Sequence, residues 1–248
     1  MSIKKIYNYS PNFNLKKRSF RQIKFLVFHY TGMKREIDAI NKLTNIQSEV
    51  SSHYLIKNNG EIVLMVPVTH IAWHAGISFW RKYEGINKYS IGIEISNPGH
   101  SNKYKDFSRK QIKSIIKLSK YLIKKYNIKS GNILGHSDIA PNRKKDPGEK
   151  FPWQYLSKKK IGIWHSLNSK NLKKLRKLKT NYLEKNNFLK NLYKIGYSKS
   201  KKILKTNYLK IITISFQRRF RQELINGIID QECLLISDNL AKKINKLS

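Results

Sequence analysis

His136 and Asp146 stand ten residues apart (146 − 136) in the stretch G-H-S-D-I-A-P-N-R-K-K-D-P-G-E-K-F-P-W, residues 135–153. Pro141, Arg143 and Lys144 lie between them, and Pro147 and Gly148 close the segment. Proline fixes φ and glycine permits a sharp reversal, so such a loop can aim an imidazole and a carboxylate at one point with little order left to lose on binding. One imidazole and one carboxylate make up two-thirds of a catalytic zinc site, in which three protein ligands leave the fourth position to water. A third ligand is therefore expected elsewhere in the chain.

The candidate is His29. It ends the apolar run Ile23-Lys24-Phe25-Leu26-Val27-Phe28 and precedes Tyr30-Thr31-Gly32, a turn-like break. A histidine at the carboxyl end of a buried strand sits at the sheet rim, where open α/β folds place their sites. On its residues alone the position also suits a core histidine bonded to backbone. Further along, Ser90-Ile91-Gly92-Ile93-Glu94-Ile95-Ser96 alternates as a strand, which sends Glu94 to the face opposite the isoleucines, together with Gly92 and Ser96. Such a carboxylate is either a solvated edge charge or a base held in a pocket. Ala72-Trp73-His74-Ala75-Gly76 is a loop able to present an aromatic surface and an imidazole to a ligand, or equally a packing Trp beside a surface His.

The set F-H-Y-T-G (28–32), S-S-H-Y-L-I (51–56), A-W-H-A-G (72–76), I-G-I-E-I-S-N-P-G (91–99) and G-H-S-D-I-A-P-N-R-K-K-D-P-G (135–148) resembles the zinc-dependent N-acetylmuramoyl-L-alanine amidases, a family that includes the peptidoglycan recognition proteins. The resemblance covers about residues 20–155, and D-P-G-x-x-F-P-W (146–153) is similar to the AmiD-like bacterial branch. It implies one Zn2+ per catalytic domain held by His29, His136 and Asp146. It further implies Glu94 as general base, Lys144 as transition-state stabiliser, and Trp73 and His74 lining the groove for a peptidoglycan or muropeptide substrate. Arg143 is expected either to contact a substrate carboxylate or to tether its loop. His53 is expected to be a buried, hydrogen-bonded structural histidine, since three ligands suffice.

The implied fold is α/β: a mixed sheet flanked by helices, as in peptidoglycan recognition protein-like amidases, followed by a small all-α three-helix domain. Three segments are expected: a catalytic domain at 1–157, a basic connector at 158–179 and a helical peptidoglycan-binding-like domain at 180–248. L-x-x-x-G-Y (192–197), S-F-Q-R-R-F-R (215–221) and N-G-I-I-D (226–230) carry the resemblance of the last segment. Arg218, Arg219 and Arg221 read there as a solvated helix face or as contacts to acidic stem peptides, and His165 as a surface residue. Ser108 with Gln111 makes a capping box for a helix carrying Ile112, Ile115, Ile116 and Leu122. Asn59-Gly60 reads as the tight primed turn of a hairpin.

Lys+Arg 51 against Asp+Glu 15 gives a formal charge of +36. That balance suits a polyanionic partner. The lysine is spread along the whole chain, however, and comes with much Asn, Ile and Tyr, all with A/T-rich codons. A biased genome accounts for the pattern. A nucleic-acid binder finds no recognition motif among the helices, and a non-catalytic peptidoglycan-recognition module would be marked by a lost ligand, whereas Asp146 is present. The single cysteine, Cys233, excludes an intramolecular disulfide. No apolar signal region, lipidation cysteine or membrane-length run is readable, so the expectation is a cytoplasmic monomer. The AmiD resemblance instead points to the periplasm or the inner face of the outer membrane.

Overall fold

The computed structural model describes residues 6–198 and 207–245, so residues 1–5 of the expected catalytic domain and 199–206 and 246–248 of the expected C-terminal domain lie outside it. In chain order the strands are β1 (Ile6–Tyr7), β2 (Phe13–Asn14), β3 (Phe25–Tyr30), β4 (Tyr54–Ile56), β5 (Ile62–Leu64), β6 (Ile71–Ala72), β7 (Phe79–Trp80), β8 (Tyr83–Glu84), β9 (Ser90–Ile95) and β10 (Ile133–Gly135). Six of them form one mixed sheet in the order β1-β5-β4-β9-β3-β10, with β4 and β5 its antiparallel pair. The helices are α1 (Glu36–Thr44), α2 (Arg109–Tyr126), α3 (His136–Ile139), α4 (Trp153–Lys158), α5 (Ser169–Lys174), α6 (Tyr182–Ile195), α7 (Tyr208–Phe220) and α8 (Gln231–Asn245).

Strand alternation decides what covers each sheet face. Leu26 and Phe28 of β3 join Ile91, Ile93 and Ile95 of β9 in one core. Over that core lies α2, whose buried Ile115, Leu118 and Leu122 recur at helical spacing and whose start is fixed by the expected Ser108–Gln111 capping box. Burying each such aliphatic side chain stabilises the fold by roughly 1.5–3 kcal/mol. Phe25 and Val27, pointing the other way, join Leu134 of β10 and a second core built from Phe188, Leu192, Phe216, Phe220 and Leu240 of α6–α8. The three C-terminal helices therefore share a hydrophobic core with the sheet. Farther along that sheet face, Leu43 of α1 packs on Leu55, Val63 and Met65.

Three local expectations are corrected. The β4–β5 hairpin turns through a three-residue loop rather than a two-residue primed turn. Gly60 N–H donates to Lys57 C=O at 2.9 Å, and Gly60, not Asn59, takes the positive φ of 86°. His165 is buried, at 9% exposure, and burial pushes its imidazole down to about 4. Arg218, Arg219 and Arg221 form neither a solvated face nor a peptide-binding surface, because all three are buried. Arg219 is paired with Asp138 and donates to Ile133 C=O at 2.9 Å, and Arg221 is paired with Asp230. Among the described residues no helix is long and apolar enough to cross a membrane.

Candidate active site

The neighbouring parallel strands β3 and β10 pair Gly135 with Phe28, so His136, the first residue of α3, starts beside His29. The chain then loops back, and Ser137 N–H donates to Asp146 C=O at 2.8 Å. Gly135 allows that closure: a Cβ on it would sit 2.7 Å from Cδ of Pro147. Three ligand atoms converge as a result. His29 Nδ1 lies 2.9 Å from His136 Nδ1 and 3.0 Å from Asp146 Oδ2, and His136 Nδ1 lies 3.0 Å from the same oxygen. All three residues are buried. Tetrahedral coordination at ~2.0–2.2 Å spaces ligand atoms roughly 3.3 Å apart, so the triangle fits a small metal ion capped by one open position.

The electrostatics suit the same occupant. Burial and then the adjacent His136 push the His29 imidazole down to about 4, leaving it neutral and able to ligate. Burial alone would raise the Asp146 carboxyl, but His136 and His29 against it hold it well below the usual range. Two imidazoles and one carboxylate are donor types that a divalent ion such as zinc takes.

A groove of about 420 Å3 opens over these groups, with walls that include Trp73, His74, Glu94, Arg143 and Lys144. Glu94 pairs in register with His29 across β9 and β3, so its carboxylate leaves the sheet beside the imidazole. Its Oε2 is buried without a hydrogen-bond partner, and burial, followed by Asp146, pushes the group up to about 8. Trp73 is held by Nε1–H donating to Asn14 Oδ1 at 2.8 Å. Arg143 donates from Nη2 to the carbonyls of Ala75 and Ile77, each at 2.6 Å, which braces its loop against the 72–77 segment.

His74 lines the groove, as expected, and is also bonded on both sides within the protein. Both of its ring nitrogens are occupied within the protein, Nδ1 by His29 Nε2 at 3.0 Å and Nε2 by Ser90 Oγ at 3.1 Å. His53 lies outside the three-ligand cluster, fully buried, with Nδ1 accepting from Gly92 N–H at 3.0 Å.

Residues 19–149 match the family described as N-acetylmuramoyl-L-alanine amidase, which is more than half of the chain. The chain is 35% identical over 237 residues to N-acetylmuramoyl-L-alanine amidase AmiD of Escherichia coli (strain K12), spanning 91% of this chain and 84% of AmiD. The chain belongs to the N-acetylmuramoyl-L-alanine amidase family. Among solved structures this family member superposes on AmiD from E. coli in complex with the substrate anhydro-N-acetylmuramic acid-L-Ala-D-γ-Glu-L-Lys, with TM-score 0.78, 36% identity and 90% of each chain covered. It also superposes on AmpDh3 from Pseudomonas aeruginosa, with TM-score 0.78, 30% identity, and 90% of this chain and 92% of that one covered. The AmiD-like resemblance read from the sequence therefore stands, and so does the mixed-sheet amidase fold.

Sequence reasoning missed two parts of this amidase's site. One is the contact from His74 to His29. The other is the buried triad in which Arg219 and Tyr197 hold Asp138, two residues beyond His136, while Asp138 Oδ2 accepts Gly135 N–H at 2.7 Å. The available signals were the charged side chain inside the otherwise small and apolar G-H-S-D-I-A run and the paired arginines of F-Q-R-R-F.

Proposed function

We propose that this amidase hydrolyses the amide between the lactyl group of N-acetylmuramic acid and L-alanine in peptidoglycan or muropeptides, using one zinc ion held by His29, His136 and Asp146. The convergence of three buried ligand atoms at the floor of a groove carries this reading. Zinc at that point supplies Lewis-acid chemistry, lowering the pKa of a water toward ~7 and polarising a carbonyl.

The chain's own residues do the rest. Glu94, adjacent to the ligands and with an uncommitted buried oxygen, accepts the proton of the attacking water and passes it to the departing alanine amine. Lys144 lines the groove two residues before Asp146 and stabilises negative charge developing on the scissile carbonyl oxygen. Trp73 offers an indole face to the sugar or peptide stem. Arg143, braced by two carbonyls, holds the segment that carries Lys144 at the groove wall, and with Lys42 and Lys145 gives the groove the positive charge that suits stem-peptide carboxylates.

Two variants test the assignment. Glu94→Ala is expected to retain one zinc per chain and to lose turnover by roughly 10²–10⁴-fold, whereas His29→Ala loses metal and turnover together. Wild-type hydrolysis by Glu94→Ala would refute its role as base.

A further inference from the structure

The hydrogen bonds behind the two ligand histidines run in one direction. Ile86 C=O can only accept, and Ser90 Oγ lies 2.7 Å from it, so the single hydroxyl hydrogen of Ser90 points at that carbonyl. The Ser90 oxygen is then an acceptor toward His74 Nε2, at 3.1 Å, and that nitrogen carries a hydrogen. His74, buried and neutral, has one ring hydrogen to give, so its Nδ1 is bare. Nδ1 lies 3.0 Å from His29 Nε2, which must therefore be the donor. With Nε2–H committed to His74, His29 turns Nδ1 toward the ligand triangle.

The other histidine is set by a shorter route to the same end. His136 Nε2 lies 3.2 Å from Ala75 C=O, again a group that only accepts, and its Nδ1 faces the triangle. Ala75 C=O also accepts from Arg143, so its position is held from two sides. The 72–76 loop thus supplies the acceptors for both ligands, His74 for one and the Ala75 carbonyl for the other. Gly92 makes room for this arrangement, because a Cβ there would fall 2.5 Å from Cγ of His74.

We propose that His74 is a positioning residue that, through Ser90 and the Ile86 carbonyl, accepts from His29 Nε2–H and so turns the opposite ring atom, Nδ1, toward the ligand triangle. This rests on the metal site proposed above and extends it to residues outside the ligand triangle. Removing such an outer partner typically weakens metal binding 10–100-fold.

The test uses metal-free and zinc-loaded full-length protein. Histidine side-chain nitrogen NMR of the metal-free protein reads the tautomer directly, and competition with a chelator reads the zinc affinity. Wild type is expected to show His29 as Nε2–H. His74→Leu, which removes the acceptor, is expected to mix the His29 tautomers and to weaken zinc 10–100-fold. His74→Asn, which keeps an oxygen acceptor near the Nδ1 position, restores most of the affinity, and Ser90→Ala, a milder change, loosens the tautomer without opening a large cavity. The proposal is overturned by metal-free wild type with His29 as Nδ1–H, or by folded His74→Leu and Ser90→Ala that keep the wild-type tautomer and affinity. Wild type that shows the Nε2–H form yet takes up no zinc supports the tautomer lock and contradicts the metal assignment alone.

Discussion

His29 and Glu94 occupy paired register positions on adjacent parallel strands, so an imidazole of the candidate metal site and a carboxylate leave the sheet side by side on one face. The rest of the site is built around that pair. On the same face the sheet is covered by α1 at one side and by the C-terminal helices at the other, and the groove is walled by α1, the segment of Trp73 and His74, and the 143–146 loop.

Lys144 lies in the groove but not among the ligand atoms. Lys144→Ala is therefore expected to keep full zinc content while kcat falls about 10²-fold or more. Metal analysis and kinetics on one preparation check both halves.

In the metal-free protein Glu94 is pushed up to about 8 from its ordinary 4.5, by burial and then by Asp146. A raised folded pKa means that the stability present below the unfolded value is lost as pH rises through the folded one. Glu94→Gln cannot ionise and escapes that loss. Urea unfolding of metal-free protein should show the variant gaining on wild type steadily between about pH 5 and pH 8. Parallel pH dependences would contradict the buried position of the carboxylate.

Arg219 and Asp138 form an ion pair in which both side chains are almost fully buried. Removing only the arginine strands a carboxylate that also accepts from Gly135 and Tyr197. Arg219→Leu is expected to cost about 3–5 kcal/mol, measured by urea unfolding. Adding Asp138→Asn should recover part of that, because the stranded charge is gone.

Gly92 has an ordinary strand conformation, so its requirement is spatial rather than torsional. Gly92→Ala drives a methyl into the His74 ring and is expected to destabilise by about 1–3 kcal/mol. Zinc affinity should fall with it, since the ring that moves is the one bonded to His29.

The three residues that converge were legible in the sequence because each carries a local sign: His29 ends an apolar run, His136 follows another, and Asp146 sits in a Pro- and Gly-bounded loop. The α2 helix announced itself through its capping box and its spacing. What stayed hidden depends on partners distant in the chain. His74 meets His29 across 45 residues, and Arg219 meets Asp138 across 81, so neither contact leaves a periodic or neighbouring trace. A basic run such as Arg218–Arg219 reads as solvated until the carboxylate that buries it is known. The four-residue α3 is likewise too short for a helical pattern to emerge.

The most direct test is to incubate the purified, zinc-loaded protein with a muropeptide, with and without chelator, and to weigh the products. The account predicts a free stem peptide and a peptide-free muramyl product, abolished by the chelator and restored by added zinc. An intact muropeptide with zinc bound, or cleavage that persists once the metal has been stripped, would contradict it.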